Sequence, residues 1–386
     1  MKDNIIYLDN SATTKPHKEV LDTFVQVNEL YYANPASIHE AGVTAHTLLT
    51  RAREQVAQIL NTESKEVIFT AGGTESNNFA VFGTAQVSTH KGKHILTTEI
   101  EHPSVLEAVK RLAEEGFEVE YLGVDSHGVI SLEELKQKVR KDTILVSIMH
   151  VNNEMGAIQP IKEAASIIHS QSRAMFHVDA VQSFGKLPIS FDGEAGPDIL
   201  TISGHKIHAL KGSGVIAFRK AFKIAPYIVG GGQEFGLRSG TVAVPQAVAF
   251  AKAARLAVEN MDIQYKKYVV WQTELRTYLQ HFGNEIHLLS TELGAPYILS
   301  FSVRGLKGEI LINALQKAGV IVSTSSACSS KQTKTSHVVE ALQVEQVFKK
   351  GVLRLSFGMQ TTEADIAAFK EVFEQVMKQL KGEVVV

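Results

Sequence analysis

Runs of consecutive apolar, mostly β-branched residues alternate through the first two thirds of the chain with longer stretches whose apolar positions recur at helical spacing. The runs at 67–70, 94–98, 119–122, 144–150, 174–178, 199–202 and 215–218 predict strands. The stretches at 74–87, 103–115 and 161–172 predict helices, the second with Pro103 in its first turn, where a missing N–H costs nothing. Strands alternating with helices imply a mostly parallel sheet wrapped by helices, whose ligands sit beyond the carboxyl ends of the strands. From about 245 to about 282 the helical period runs on, which predicts one long helix bridging two domains. A strand at 298–303, a helix at 309–318, a short strand at 321–322 and a strand at 352–357 then predict a smaller α+β domain. The expected division is 13–257 for the large domain, and 1–12 with 258–386 for the small one.

Composition narrows the class. The chain has 386 residues, 44% hydrophobic and 21% charged, which is enough apolar material for the cores of two domains. A net charge of −2 gives no electrostatic reason for a nucleic-acid or anionic-membrane partner. The opening residues, Met-Lys-Asp-Asn-Ile-Ile-Tyr-Leu-Asp, turn polar too soon for a signal peptide, and no apolar run approaches the roughly 18 residues of a membrane span. A cytoplasmic protein is the expectation. A single cysteine excludes an internal disulfide and a cysteine-based zinc site, and no metal is expected.

The candidate chemistry falls at the predicted strand ends. Lys206 closes the turn Ser203-Gly-His-Lys206 after the run 199–202. Alone, such a lysine is a solvated surface cation. Here Asp179 ends the run 174–178, and Gln182 follows three residues later. Carboxylate, amine and neutral amide are what pyridoxal phosphate (PLP) needs: one pairs with the protonated pyridine nitrogen, one forms a Schiff base, and one donates to the ring's phenolic oxygen. Thr70-Ala-Gly-Gly-Thr-Glu75 joins a strand to a helix, so backbone N–H groups and the helix dipole converge near Gly73 and Thr74 on a phosphate site, to which Ser203 and His205 can add donors. His102, just past the run 94–98, is placed to stack on a ring and move protons near neutral pH. Asn153, in Met149-His-Val-Asn-Asn-Glu154, can donate to the cofactor oxygen or to a substrate carboxylate. Cys328 sits in the small polar stretch Ser323-Thr-Ser-Ser-Ala-Cys-Ser-Ser-Lys-Gln-Thr-Lys-Thr335, whose two lysines favour a thiolate. Arg354 interrupts the apolar strand 352–357, where its guanidinium calls for a carboxylate, from a substrate or from the protein itself.

Together with Tyr7-Leu-Asp-Asn-Ser-Ala-Thr-Thr14, Asn34-Pro-Ala-Ser37, Glu101-His102, His177-Val-Asp-Ala-Val-Gln182, Arg238-Ser-Gly-Thr241 and Ser326-Ala-Cys328, these motifs run nearly from end to end of the chain. In them the chain resembles the group I cysteine desulfurases of the NifS/IscS type, within the class V aminotransferase-like, fold type I PLP enzymes. The resemblance implies an α/β large domain with a mostly parallel seven-stranded sheet flanked by helices, plus a smaller α+β domain. It implies Lys206 as the Schiff-base residue and Asp179 at the pyridine nitrogen. Gln182 and Asn153 would lie near the ring oxygen, His102 on the ring, and Gly73, Thr74, Ser203 and His205 on the phosphate. Thr241 would reach the phosphate of the neighbouring subunit in a homodimer. Arg354, with Asn34 and Asn153, would bind the substrate. The implied reaction takes L-cysteine to L-alanine, with Lys206 and His102 moving protons. Cys328 would receive the sulfur as a persulfide and pass it to an acceptor protein, an iron–sulfur scaffold or a tRNA-thiolating enzyme, for iron–sulfur cluster, thio-tRNA or thio-cofactor synthesis. Selenocysteine lyase, another fold type I enzyme, or a non-catalytic PLP-binding scaffold for sulfur-carrier proteins are the alternatives.

Overall fold

The computed structural model describes residues 5–191, 196–219, 223–324, 335–380 and 382. Its main sheet has seven strands: Val67–Thr70 (β1), His94–Thr98 (β2), Glu118–Leu122 (β3), Thr143–Met149 (β4), Met175–Asp179 (β5), Ile199–Ser203 (β6) and Gly214–Phe218 (β7). Their spatial order is β1-β7-β6-β5-β4-β2-β3. Every residue of β1, β2 and β4 to β7 is buried, and only β3, at one edge, is partly exposed. Strands covered on both faces must be apolar nearly throughout, which is why they read as unbroken runs. Each predicted strand of this sheet lies within one residue of its observed ends.

β7 is antiparallel to both neighbours, β1 and β6, while the remaining pairs are parallel. Thr70, Thr98, Met149, Asp179 and Ser203 therefore end at one rim, with Met149 opposite Asp179 and Asp179 opposite Thr201. β7 starts at that rim. A Cβ on Gly214 would come within 2.6 Å of the Gly72 Cα, so glycine is what lets this strand and the turn after β1 lie side by side.

A second, antiparallel sheet runs Val352–Ser356, Ile298–Val303, Ile286–Leu288. Its core also takes in Tyr268, Trp271 and Leu275 from Met261–Gln280, and Phe369 and Phe373 from Glu363–Leu380. Ile6–Tyr7 pairs in parallel with Val320–Ile321, and Leu8 belongs to this second core. The chain then follows Val352–Ser356, with the Ser356 N–H donating to Leu8 O at 2.7 Å and the Asn10 N–H to Ser356 O at 3.3 Å, before it reaches the rim of the main sheet.

The single helix expected over about 245–282 is two helices, Val244–Glu259 and Met261–Gln280. Asn260 leaves the helical region at φ −99° and ψ 0°, and its Nδ2 donates to Leu256 O at 2.8 Å. An asparagine amide competes with the backbone for such carbonyls. The break lets Val244–Glu259 bury Ala249, Phe250 and Ala254 in the first core while the next helix serves the second. Among the described residues no helix is long and apolar enough to cross a membrane.

Candidate active site

Beyond the carboxyl rim lies a cavity of about 630 Å³, a volume that suits a cofactor with a small substrate. Gly73, Thr74, His102, Asn153, Asp179, Gln182, Ser203, His205, Lys206 and Arg354 all line it. Asn34 and Thr241 do not; both are exposed on this chain, and Asn34 Oδ1 accepts from the Ala36 N–H at 3.0 Å. Cys328 lies outside the described residues.

The helix Gly73–Ser88 opens on the cavity after Gly72, whose φ of 146° only glycine adopts readily, and no side chain caps it. Its first N–H groups therefore have no side-chain partner of their own, as a phosphate site requires. Gly73 is needed for space: a Cβ there would sit 2.9 Å from Val181 Cγ2 and 3.4 Å from Ser203 Cβ. His205 is neutral at pH 7, pushed down to about 4 by burial and then by the Lys206 charge. It offers hydrogen bonds rather than a second charge, and its Nδ1 lies 3.1 Å from Thr13 Oγ1.

Asp179 is held by donors from two directions. Its Oδ1 accepts from the Val181 N–H at 2.9 Å and its Oδ2 from Asn77 Nδ2 at 2.7 Å. Asn77 is oriented in turn by the Thr201 hydroxyl, which donates to its Oδ1 at 2.5 Å, and its Nδ2 also reaches Ser104 Oγ at 2.9 Å. Ser104 Oγ lies 2.8 Å from His102 Nδ1, which accepts from the Ser104 N–H at 3.1 Å. Nδ1 is thus an acceptor, so the neutral ring carries its proton on Nε2. Burial lowers the His102 pKa, against the opposing pull of Asp179, and keeps the ring neutral at pH 7. One asparagine, on the helix that begins at Gly73, therefore couples Asp179 and His102.

Lys206 ends the short turn Gly204–Lys206 directly after β6. Its Nζ donates to the carbonyls of Ser11 and, at 2.8 Å, Ala12. Gln182 Nε2 donates to the same Ser11 carbonyl at 2.9 Å, and its buried Oε1 has no partner. An amide nitrogen carries two N–H groups, so one donor of Nε2 is left for a further acceptor. Arg354 does have a protein carboxylate: Nη2 donates to Asp9 Oδ1 at 2.9 Å and Nη1 to Asn153 O at 2.7 Å, while Nε is buried without a partner. An amine, a carboxylate and an uncapped helix terminus around one cavity fit a phosphorylated pyridine aldehyde.

Glu101, next to His102, is fully buried. Its Oε1 accepts from the Thr98 hydroxyl at 2.8 Å and the Met149 N–H at 2.7 Å, which ties the ends of β2 and β4, and Oε2 has no partner. Burial pushes its pKa up from 4.5 to about 8. The folded protein thus keeps a proton that the unfolded chain has released, so Glu101 costs increasing stability as pH rises from about 4.5 to about 8. Glu101→Gln cannot ionise. Relative to wild type it is expected to gain on the order of 3 kcal/mol between pH 5 and pH 8, read from urea unfolding at the two pH values. A wild-type-to-variant difference that does not change with pH would place the carboxyl in its ionised form throughout.

Asn77, Asp9 and Ser104 were not singled out by sequence reasoning. Asp9 offered a signal, a carboxylate directly after the apolar Tyr7-Leu8; Asn77 offered only its helical spacing from Gly73.

A family model described as aminotransferase class-V matches residues 6–369. The chain is 40% identical over 381 residues to "Cysteine desulfurase IscS" of Dictyoglomus turgidum, a match that covers 97% of this chain and 95% of the relative. A solved structure described as "NifS-like protein" is 37% identical with a TM-score of 0.91, covering 97% of this chain and 100% of that one. Another, described as "SspA in complex with cysteine", is 30% identical with a TM-score of 0.80, covering 91% of this chain and 98% of that one.

Proposed function

The chain belongs to the class-V aminotransferase family, and from that premise we infer that it is a PLP-dependent cysteine desulfurase, which converts L-cysteine to L-alanine and a transferable sulfur. The observation that carries the reading is that Lys206, Asp179 and the uncapped helix terminus at Gly73 and Thr74 line one cavity. When bound, PLP supplies an electron sink that stabilises negative charge at the α carbon of an amino acid. Gly73, Thr74, Ser203 and His205 would hold its phosphate, and Asp179, fixed by Asn77 and Val181, would hold the proton on its ring nitrogen. Lys206 would hold the cofactor covalently and, once the substrate's amine takes that place, would receive the α-proton on Nζ. His102 would lie against the ring and move a proton at Nε2.

Arg354 is read as the anchor of the substrate carboxylate and Cys328 as the sulfur acceptor. The Cys328 thiolate attacks the sulfur of L-cysteine; an S–S bond forms, the substrate's Cβ–S bond breaks, and its electron pair with a proton leaves a methyl group. One thiol and one L-cysteine thus give one persulfide and one L-alanine, with no outside oxidant. The sulfur would pass to an acceptor protein, an iron–sulfur scaffold or a tRNA-thiolating enzyme.

A homodimer is part of this reading. Thr241 is exposed rather than turned to its own cavity, and Ile38, Tyr32, Val229 and Phe235 are 98%, 84%, 81% and 60% exposed, as apolar residues awaiting a partner surface would be. A thiol-dependent reaction in a chain with one cysteine suits a reducing, cytoplasmic setting.

The test is product analysis with PLP and a reductant present. L-cysteine is expected to give L-alanine and sulfide in equal amounts. Turnover of L-selenocysteine but not of L-cysteine would make the protein a selenocysteine lyase, and turnover of neither would leave a binding scaffold.

A further inference from the structure

Arg354 is held by two protein acceptors before any substrate arrives. It stands in the middle of Val352–Ser356, where every residue is buried, and its guanidinium reaches the cavity. Asp9 Oδ1 takes Nη2, Asn153 O takes Nη1, and the buried Nε is left without a partner. Each terminal nitrogen carries two N–H donors, so these two contacts leave one on Nη1 and one on Nη2 for an incoming carboxylate.

Asp9 is itself fixed from behind. Beside it the Ser356 N–H donates to Leu8 O at 2.7 Å, Asn10 Nδ2 donates to Ser356 O at 2.9 Å, and the Ser11 N–H donates to Ser356 Oγ at 2.7 Å. Ser323 pairs with Arg354 through both backbone groups, at 2.8 Å and 3.2 Å. The carboxylate therefore meets the guanidinium from a segment tied to Val352–Ser356 on both sides and grips a single nitrogen, which sets the plane of the fork without closing it.

We propose that Asp9 is a positioning residue that holds the Arg354 guanidinium in the orientation that receives the α-carboxylate of L-cysteine. The proposal rests on the reading of Arg354 given above. It predicts an effect on binding rather than on the later steps, because the carboxylate is held equally before and during bond breaking. Immobilising a long side chain at the moment of binding is costly, and preorganisation by Asp9 removes that cost.

The experiment uses the PLP-loaded protein and compares wild type, Asp9→Asn, Asp9→Ala and Arg354→Met. Steady-state kinetics with L-cysteine are measured beside equilibrium binding of L-alanine and of cysteamine, which keeps amine and thiol but lacks the carboxylate. Asp9→Ala is expected to raise KM for L-cysteine and weaken L-alanine binding about tenfold, with kcat within about threefold of wild type. Asp9→Asn keeps an acceptor at the same place and should lose only about twofold to threefold. Cysteamine binding should be the same in all four proteins. An equal loss for cysteamine, or an Asp9→Asn protein indistinguishable from wild type where Asp9→Ala does not fold, would overturn the proposal, as would an unchanged KM in Asp9→Ala. If Arg354→Met binds L-alanine as wild type does, the reading of Arg354 fails first; if it binds weakly and the Asp9 variants bind normally, only the role of Asp9 fails.

Discussion

Lys206→Ala is expected to fold and to bind PLP reversibly, yet to lose cysteine turnover by at least about 10⁴-fold. In the proposed reaction two functions leave with one amine, the covalent hold on the cofactor and the base that receives the α-proton. The fold is expected to survive because Lys206 is on a turn that lines the cavity, not in a core, and its amine donates to the carbonyls of Ser11 and Ala12. Both residues line the cavity too, so their carbonyls can turn to water when the donor goes. The glycine turn proposed to hold the phosphate and the hydrogen bonds to Asp179 from Asn77 and Val181 contain no atom of Lys206, so cofactor affinity should fall without vanishing. Borohydride treatment followed by peptide mass analysis checks this directly. Wild type should carry the cofactor on the Lys206 peptide, and the variant on none. Turnover near wild type in Lys206→Ala would remove the chemical centre of the proposed reaction.

Cys328→Ala is expected to reduce sulfide release from L-cysteine to background while leaving PLP and L-cysteine binding intact. The chain has one cysteine, so no second thiol can substitute, and an alanine methyl cannot attack sulfur. The described residues on either side of the segment that carries Cys328 are fixed beside the cavity. Ser323 pairs with the backbone of Arg354, and the Ser336 hydroxyl donates to Glu154 Oε2 at 2.6 Å, one residue from the cavity-lining Asn153. Neither anchor involves the thiol, so the variant should keep its cofactor absorbance and its response to added L-cysteine. Intact-mass analysis after a short exposure to L-cysteine gives the second readout: one added sulfur on wild type and none on the variant. Sulfide release at the wild-type rate would move the sulfur-accepting step to free thiol in solution.

The two effects rest on different kinds of knowledge. Pattern along the chain places Lys206, Asp179 and the glycine turn at Gly73 at strand ends, because apolar runs stop where polar chemistry begins and β1, β5 and β6 are each bounded by it. The fold behind them was legible for the same reason. Periodicity is a local property, and the buried strands show it without interruption. Where the local signal was continuous but its meaning was not, the reading failed: 245–282 keeps a helical period on both sides of Asn260, and only the separate cores served by the two helices require the break.

Spacing and residue type were sufficient for the seven strands of the main sheet, the chemical groups at their ends and the family to which those motifs point. Packing was needed to bring out that Asn77 links Asp179 with His102, that Ser11 receives both Gln182 and Lys206, and that Asp9 faces Arg354 across 345 positions of chain. Strand and helix patterns arise from neighbours a few residues apart, which spacing records. A hydrogen bond between residues brought together by a sheet's order depends on where whole elements pack, and no spacing along the chain encodes the direction from which a partner arrives.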